Sequence, residues 1–440
     1  MLNEEQNRLI TQTGAGTSGG QVLRRYWQPA VLTEELEGER PVKAARLLGE
    51  DLVAFRDESG HYGLIGRHCP HRGTDLCYGR LEAGGLRCPF HGWLLDAKGK
   101  CLEQPAEPSG SVFHEKIRHT AYPCEERNGI VFAYLGVGDP PPLPELDCFS
   151  APGEFTFAFK GFLECNWLQA VEVGIDPAHA SFLHRFFVDE DAAEGYGQQF
   201  RDNTSGATLP ITKVLREFPK PQIDVESTAY GLRLITRREL NASQTHIRVT
   251  NLLFPQAIVI PMSNDMTITQ WHVPVDDTHS YWYAIFTAFN TPVDHATMRE
   301  QRLEFYSLPD YLPRLNKTNR YGYDPKEQRE LTYTGMGRDI NVHDQWAVES
   351  PGPIQNRTTE QLGTTDKAII ANRKLLLQAI NAVGNGQGIP EAIPRPDAMV
   401  SKGPPTVDTV GPSVAWASYW ATVDADRREC SAWAGKHTWP

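Results

Sequence analysis

The sequence predicts an α+β protein with two main domains: an N-terminal antiparallel β domain, then a larger antiparallel sheet flanked by helices. Three observations predict it. Short apolar runs separated by turn residues fill positions 42–135. A proline-rich stretch follows them. Beyond it, longer β-type runs alternate with segments whose apolar residues recur at helical spacing. At 440 residues the chain is too long for one small domain, and 40% hydrophobic residues supply a large core.

Composition narrows the function classes. A formal net charge of −12 argues against general nucleic-acid binding, which needs a basic footprint. It leaves room for an anionic substrate, because a few local arginines can dominate a pocket. No apolar run reaches about 18 residues, so no segment is expected to span a membrane. The longest, Leu252 to Met262, is broken by Pro255, Gln256 and Pro261. The polar, acidic start does not read as a signal peptide. Eight cysteines are too sparse for a disulfide scaffold, and a reducing cytoplasm is expected.

In chain order, residues 1–40 read as a helical lead-in, with Tyr26 and Trp27 placed to pack on the next domain. Residues 41–140 form the β domain. Its strands begin at Val42, Asp51 and Tyr62, with turns at Ser59-Gly60, Gly84-Gly85 and Lys98-Gly99. Asn128-Gly129 precedes the strand Ile130-Val-Phe-Ala-Tyr-Leu. Gly136 to Leu146 carries four prolines and reads as a semi-rigid linker. Residues 150–385 form the second domain. Strand-like runs begin at Phe155, Gly231, Met266 and Tyr281, and one run is read from His246 to Ile260. Helices are expected over 166–180, 295–308 and 364–383; the last opens at Thr364-Thr365-Asp366 and stops at Gly384. Residues 386–440 are rich in Gly and Pro and read as an irregular extension wrapping a neighbouring surface.

Two constellations carry chemistry. Cys69-x-His71 and Cys88-x-x-His91 place two thiolates and two imidazoles in two short loops. Structural zinc is one reading of such a set. Each pair here holds one Cys and one His, which suits a [2Fe–2S] cluster with thiolates on one iron and imidazoles on the other. Gly73 and Gly92 allow backbone amides near the sulfurs, and Trp93 reads as an aromatic packed beneath the cluster. The second constellation is Asn166-Trp167, Glu172, Asp176-Pro177, His179 and His184. Asp176 can cap a helix with Pro177 at its first position. His179 and His184, five apart, lie about 140° apart around an ideal helix. They converge on one ion only if the helix bulges or ends between them. Two histidines would need a carboxylate to complete the triad of a non-haem Fe(II) oxygenase.

With both constellations present in this order, the chain resembles the oxygenase component of Rieske non-haem iron aromatic-ring hydroxylases, of the phthalate dioxygenase type. Arg25-Tyr-Trp-Gln-Pro, Val273-Pro-Val-Asp-Asp and Asp344-x4-Glu349-Ser350-x-Gly352-Pro353-Ile354 add to the likeness. The resemblance implies a Rieske domain followed by a helix-grip catalytic domain. It implies that Asp344 is the third ligand of a mononuclear Fe(II) with His179 and His184; periodicity alone would not choose Asp344 over Asp339 or Glu349. It implies that Asp176 bridges a Rieske histidine of one subunit to an iron histidine of the next, in a homotrimer or hexamer.

The expected activity is cis-dihydroxylation of an aromatic carboxylate with O2 as co-substrate. A reductase with flavin and an iron–sulfur cluster would supply electrons, which pass through Asp176 to the iron. Arginines are expected to hold the carboxylate. Arg248 alternates away from Ile247 and Val249 and resembles one arginine of the phthalate type. Lys220 and Gln222 stand where a second would be expected, a departure from the ortho-phthalate pattern. Arg233, Arg237 and Arg238 read as solvated strand residues. Ser181 either hydrogen-bonds the substrate carboxylate or caps local backbone. The rivals are a Rieske monooxygenase, either an O- or N-demethylase or a ring hydroxylase, and a pure Rieske electron carrier. A zinc-binding interaction module is the third.

Overall fold

Asn3 and Thr17 start two short helices by accepting hydrogen bonds from backbone amides three residues on: α1 (Glu4–Thr11) and α2 (Ser18–Leu23). In the computed structural model, which describes residues 1–188, 209–262, 265–394 and 403–435, these helices lead into the β domain. The aromatics after them reach past that domain. Tyr26 meets Phe254 edge-on at 5.6 Å, and Trp27 Nε1 donates to Pro141 O at 2.7 Å.

The β domain holds three small antiparallel sheets. One joins β2 (Val42–Leu47), β3 (Glu50–Arg56), β4 (Tyr62–Gly66) and β9 (Ala121–Tyr122). A second joins β5 (Arg80–Glu82), β6 (Gly85–Arg87), β7 (Leu94–Leu95) and β8 (Cys101–Glu103). The third joins β1 (Gln28–Leu32) to the hairpin of β10 (Cys124–Arg127) and β11 (Ile130–Ala133). Asn128 and Gly129 turn this hairpin with positive φ at both positions, as a type I′ turn requires.

The second domain is built on one antiparallel sheet. Its strands are β12 (Thr156–Leu163), β13 (Gln222–Thr228), β14 (Gly231–Glu239), β15 (Gln244–Leu253), β16 (Ala257–Pro261), β17 (Met266–Pro274) and β18 (Ser280–Ala288). They run in the order β12-β18-β17-β16-β15-β14-β13. The run expected from His246 to Ile260 is two strands, because the chain turns at Phe254–Gln256 around Pro255. Helix α3 spans Trp167–Gly174, shorter than the 166–180 expected. Asn166 caps it and also donates to Thr11 O and Asp277 O. Glu172, buried, is gripped by Arg357 and Arg373. α4 (His295–Leu303) is capped by Asp294, α5 spans Ile340–Glu349 and α6 spans Lys367–Gly384. α3 packs on α5 and on β17, while α6 packs on α1 and α2.

Where it is described, the C-terminal segment is not wholly irregular. β19 (Val407–Pro412) pairs with Gln244–Val249 of β15, the part of that strand's edge that short β16 leaves open. α7 (Trp416–Glu429) then covers the outer face, where Trp420 packs with Ile235, Ile247, Val249 and Val407. Its glycines and prolines mark the turns, while Val407, Val410 and Trp420 supply the burial. Among the described residues no helix is long and apolar enough to cross a membrane.

Candidate active site

The two Cys/His loops close in the same way. Cys69 N donates to Thr74 O and Gly73 N returns to Cys69 O; Cys88 N donates to Trp93 O and Gly92 N returns to Cys88 O. Each return bond needs a positive φ, and Gly73 and Gly92 both sit at +76°. The loops bring both cysteines, each buried, against one another. Burial pushes the Cys69 thiol up to about 11, opposed by the amides of His71 and Arg72 beside the sulfur. The His71 and His91 rings lie 4.5 Å apart, and Trp93 stacks on His71 at 4.5 Å. His91 Nδ1 is buried and has no hydrogen-bond partner among the described residues. Two facing thiols and an orphaned imidazole nitrogen fit a cluster that takes S and N ligands from both loops. Among the described residues, these four donors are not within 4.8 Å of one another, as the ligands of a single zinc would be.

The other histidines converge because the helix ends. Ile175 leaves the helical region, and Asp176 and Pro177 cross to a short 3-10 turn over His179–Ser181. Asp176 Oδ1 accepts from Ala178 N at 2.8 Å in a local turn just ahead of this 3-10 turn, whose N-cap is Ala178, so Asp176 caps no α-helix. His179 Nε2 and His184 Nε2 are 3.2 Å apart. Asp344, on α5, places Oδ1 3.2 Å from His184 Nε2 and 3.8 Å from His179 Nε2. Among the described residues, this is the one group of three or more such donors gathered within 4.8 Å. The competing acids are occupied elsewhere. Asp339 caps α5 and pairs with Arg302 at 2.9 Å, and Glu349 accepts from Glu164 N and Tyr321 OH.

Hydrogen bonding fixes which nitrogens face inward. His343 Nε2 lies 2.9 Å from Gly337 O, which can only accept, so that nitrogen carries the proton. Burial pulls the His343 imidazole down to about 4, so it is neutral and its Nδ1 is an acceptor. His184 Nδ1, 3.4 Å away, therefore donates to it, leaving a lone pair on His184 Nε2. His179 Nδ1 likewise donates to Asp176 O, leaving a lone pair on its Nε2. Two lone pairs thus face a carboxylate oxygen that is buried and, among the described residues, accepts no hydrogen bond. Burial raises the Asp344 carboxyl, but the pull of His184, with His179 and His343, outweighs it and holds it below the usual range. Such a set repels itself unless a cation sits within it, and two His with one carboxylate suit non-haem iron.

Beside the triad lies a cavity of about 230 Å³. An apolar hole of about 150 Å³ already admits benzene. Its walls include Leu163, Val173, Phe186, Ile260, Ile268 and Trp282, and its polar lining includes Arg238, Arg248, Gln270 and His272. Arg248 is where alternation put it, facing inward. It is engaged by Asp408 of β19 and donates to Pro261 O at 2.7 Å. Burial raises the Asp408 carboxyl, but His246, whose Nε2 is 3.0 Å away, and Arg248 outweigh it and hold it at about 2.

Arg238 corrects the sequence reading: it is not solvated but 2% exposed. It shares the parity of Leu232 and Leu234 and pairs across the sheet with His246, so it faces the cavity beside Arg248. It donates to Phe218 O and Pro177 O, and among the described residues no carboxylate pairs with it. Burial pulls its pKa down to about 10, still a cation at neutral pH. Arg233 and Arg237 point the other way, paired with Glu226 and Asp224 beneath Trp420 and Trp416. Ser181 does not line the cavity. It is fully buried, and its Oγ accepts from Arg238 at 3.3 Å. His343, His272 and Arg238 escaped sequence reasoning; only Arg238 carried a signal, its strand parity.

Comparison with known proteins follows the same division of the chain. The Rieske [2Fe-2S] domain family matches residues 26–121, and the family described as LigXa C-terminal domain like matches residues 146–428. The phthalate 4,5-dioxygenase oxygenase subunit of Pseudomonas putida is 34% identical, over 97% of this chain and 98% of its own. The 5,5'-dehydrodivanillate O-demethylase oxygenase subunit of a Sphingobium strain is 32% identical, over 91% and 85%. Among solved structures, the NdmA QL mutant of Pseudomonas putida CBB5 with theobromine superposes with a TM-score of 0.58 at 18% identity. That match covers 86% of this chain and 96% of the other, and it speaks for the fold.

Proposed function

The chain belongs to the Rieske non-haem iron oxygenases, as an oxygenase component, and within that family we propose that it cis-dihydroxylates an aromatic carboxylate, a phthalate isomer or a related benzoate. Its cofactors are a Rieske [2Fe–2S] cluster and a mononuclear iron, with O2 as co-substrate. Cys69, His71, Cys88 and His91 would hold the cluster, and His179, His184 and Asp344 the iron. When bound, these groups supply electron storage and O2 activation. The chain's own residues bind and orient the ring. The observation that carries the reading is Arg238, a buried cation facing an apolar cavity with no carboxylate among the described residues to neutralise it. Burying a charge without a partner is costly, so the substrate is expected to bring the anion. Arg248, held by Asp408, offers the remaining donors of its fork to the same carboxylate. The phthalate relative spans nearly the whole chain and supports the same substrate class.

The O-demethylase relative favours a second reading, a monooxygenase that removes a methyl group from an aromatic ether. Oxygen uptake with product identification across phthalate, isophthalate, terephthalate, benzoate and methoxybenzoates separates the two. A cis-dihydrodiol from one of them is expected; formaldehyde without a dihydrodiol overturns the dioxygenase reading. Arg238→Gln and Arg248→Gln should each raise KM by roughly ten- to a hundredfold, the worth of a charged hydrogen bond. We also propose that a flavin and iron–sulfur reductase supplies electrons, and that copies of the chain assemble as a homotrimer or hexamer.

A further inference from the structure

The binding and metal roles assigned so far leave one buried group in the cavity without a task. His272 lies on β17, where Ile268, Gln270 and His272 alternate onto the cavity-facing side. It is 5% exposed, and among the described residues neither Nδ1 nor Nε2 has a hydrogen-bond partner. Buried polar groups are normally paired, so a doubly orphaned imidazole aimed into a cavity points to a ligand group. Burial pulls the ring down to about 4 against the pull of Asp344, so it is neutral at neutral pH. A neutral imidazole offers one donor and one acceptor. That pair does not suit a carboxylate, which only accepts and which the arginines already serve. It suits a hydroxyl, which both donates and accepts. By the pairing register His272 stands level with residue 254, at the end of β15 and six residues along from Arg248, so the two line different parts of the one cavity, with the ring between them.

We infer that His272 binds an uncharged oxygen substituent of the ring, so that the preferred substrate is a hydroxylated aromatic carboxylate, its carboxylate at Arg238 and Arg248 and its hydroxyl at His272. This rests on the aromatic-carboxylate reading and deepens it. A site built around a hydrogen-bonding substituent rejects the analogue that lacks it, because its own polar groups are then left unpaired.

The test is calorimetric binding of benzoate, 3-hydroxybenzoate, 4-hydroxybenzoate and phenol to the holoenzyme without reductant. Wild type should bind one hydroxybenzoate roughly tenfold or more tightly than benzoate. His272→Leu should bring that ratio close to one, and His272→Gln, which keeps a donor and an acceptor, should restore part of it. An unchanged cluster spectrum and iron content show that each variant is folded. No hydroxyl preference in wild type, or a preference that survives His272→Leu, overturns the inference. Benzoate binding that depends on Arg248 while hydroxyl makes no difference removes the His272 role alone. Phenol binding that depends on His272, with no gain from a carboxylate, overturns the carboxylate reading and keeps the hydroxyl contact.

Discussion

At His184 the choice between two tautomers is made by His343, whose own proton is fixed by Gly337 O. His343→Leu removes the acceptor for His184 Nδ1 and frees the ring to turn or to carry its proton on the wrong nitrogen. Loss of such an outer partner typically costs 10–100-fold in metal affinity. Iron retained after dialysis against a chelator should fall accordingly, while the cluster spectrum stays unchanged; full retention would sink the role. His272 adds a pH effect of known sign. Its folded pKa of about 4 lies below the ordinary 6.5, so the unfolded chain holds the proton more readily between those values. The stability it contributes is complete above pH 6.5 and is lost as the pH falls toward 4. At pH 5 the loss is about 2 kcal/mol. Wild type should therefore lose more thermal stability than His272→Leu between pH 7 and pH 5. Neither histidine was legible in the sequence. Each is a lone His on a strand or helix, and its role lies in contacts with residues distant along the chain. The ligands were legible because His179-x4-His184 and the Cys/His pairs are local, whereas Asp344 needed the family likeness, since Asp339 and Glu349 offered the same chemistry.

At the level of elements, one polar side of the cavity is a row across three strands: Arg238 on β14 and Arg248 on β15 line it, backed by His246 on β15 and Asp408 on β19. The parity of β14 was readable, since Leu232, Leu234, Thr236 and Arg238 share one face, but three arginines within six residues masked it. β19 was not readable. Its glycines and prolines obscure a six-residue strand, and its place is set by the edge that β16 leaves open, a fact of pairing rather than of composition. Asp408→Asn tests what that strand does. The change keeps the shape but removes the charge that holds Arg248, so the guanidinium loses its fixed aim. KM for the carboxylate substrate should rise about tenfold, with kcat changed much less, as expected when binding rather than chemistry suffers. An unaltered KM would leave β19 a purely structural strand.

At the level of the whole molecule, the two candidate metal centres each face a surface edged with exposed apolar groups. Beside His179 and Asp176 a shallow cleft carries Phe182 and Tyr333, with Phe187 and Leu331 near it, all exposed. Around His71 and His91 stand the exposed Phe90 and, against Trp93, the exposed Phe113. Such patches mark contact surfaces. In a closed ring of identical chains the two different patches can meet head to tail, each copy offering one to each neighbour. Asp176 then lies where the Cys/His loops of one copy would meet the His/His/Asp site of the next, and Asp176→Asn should keep both metals while turnover falls steeply. Mixing two inactive variants decides whether the sites work between copies. Cys69→Ser disables one centre and His184→Ala the other, so neither homomer should turn over. Unfolded and refolded together, or co-expressed, equal amounts would place an intact pair across roughly a quarter of the contacts in a random ring. Oxygen-coupled product formation near that share of wild type is expected if the working pair spans two copies. If each chain works alone, the mixture stays as inactive as its parts.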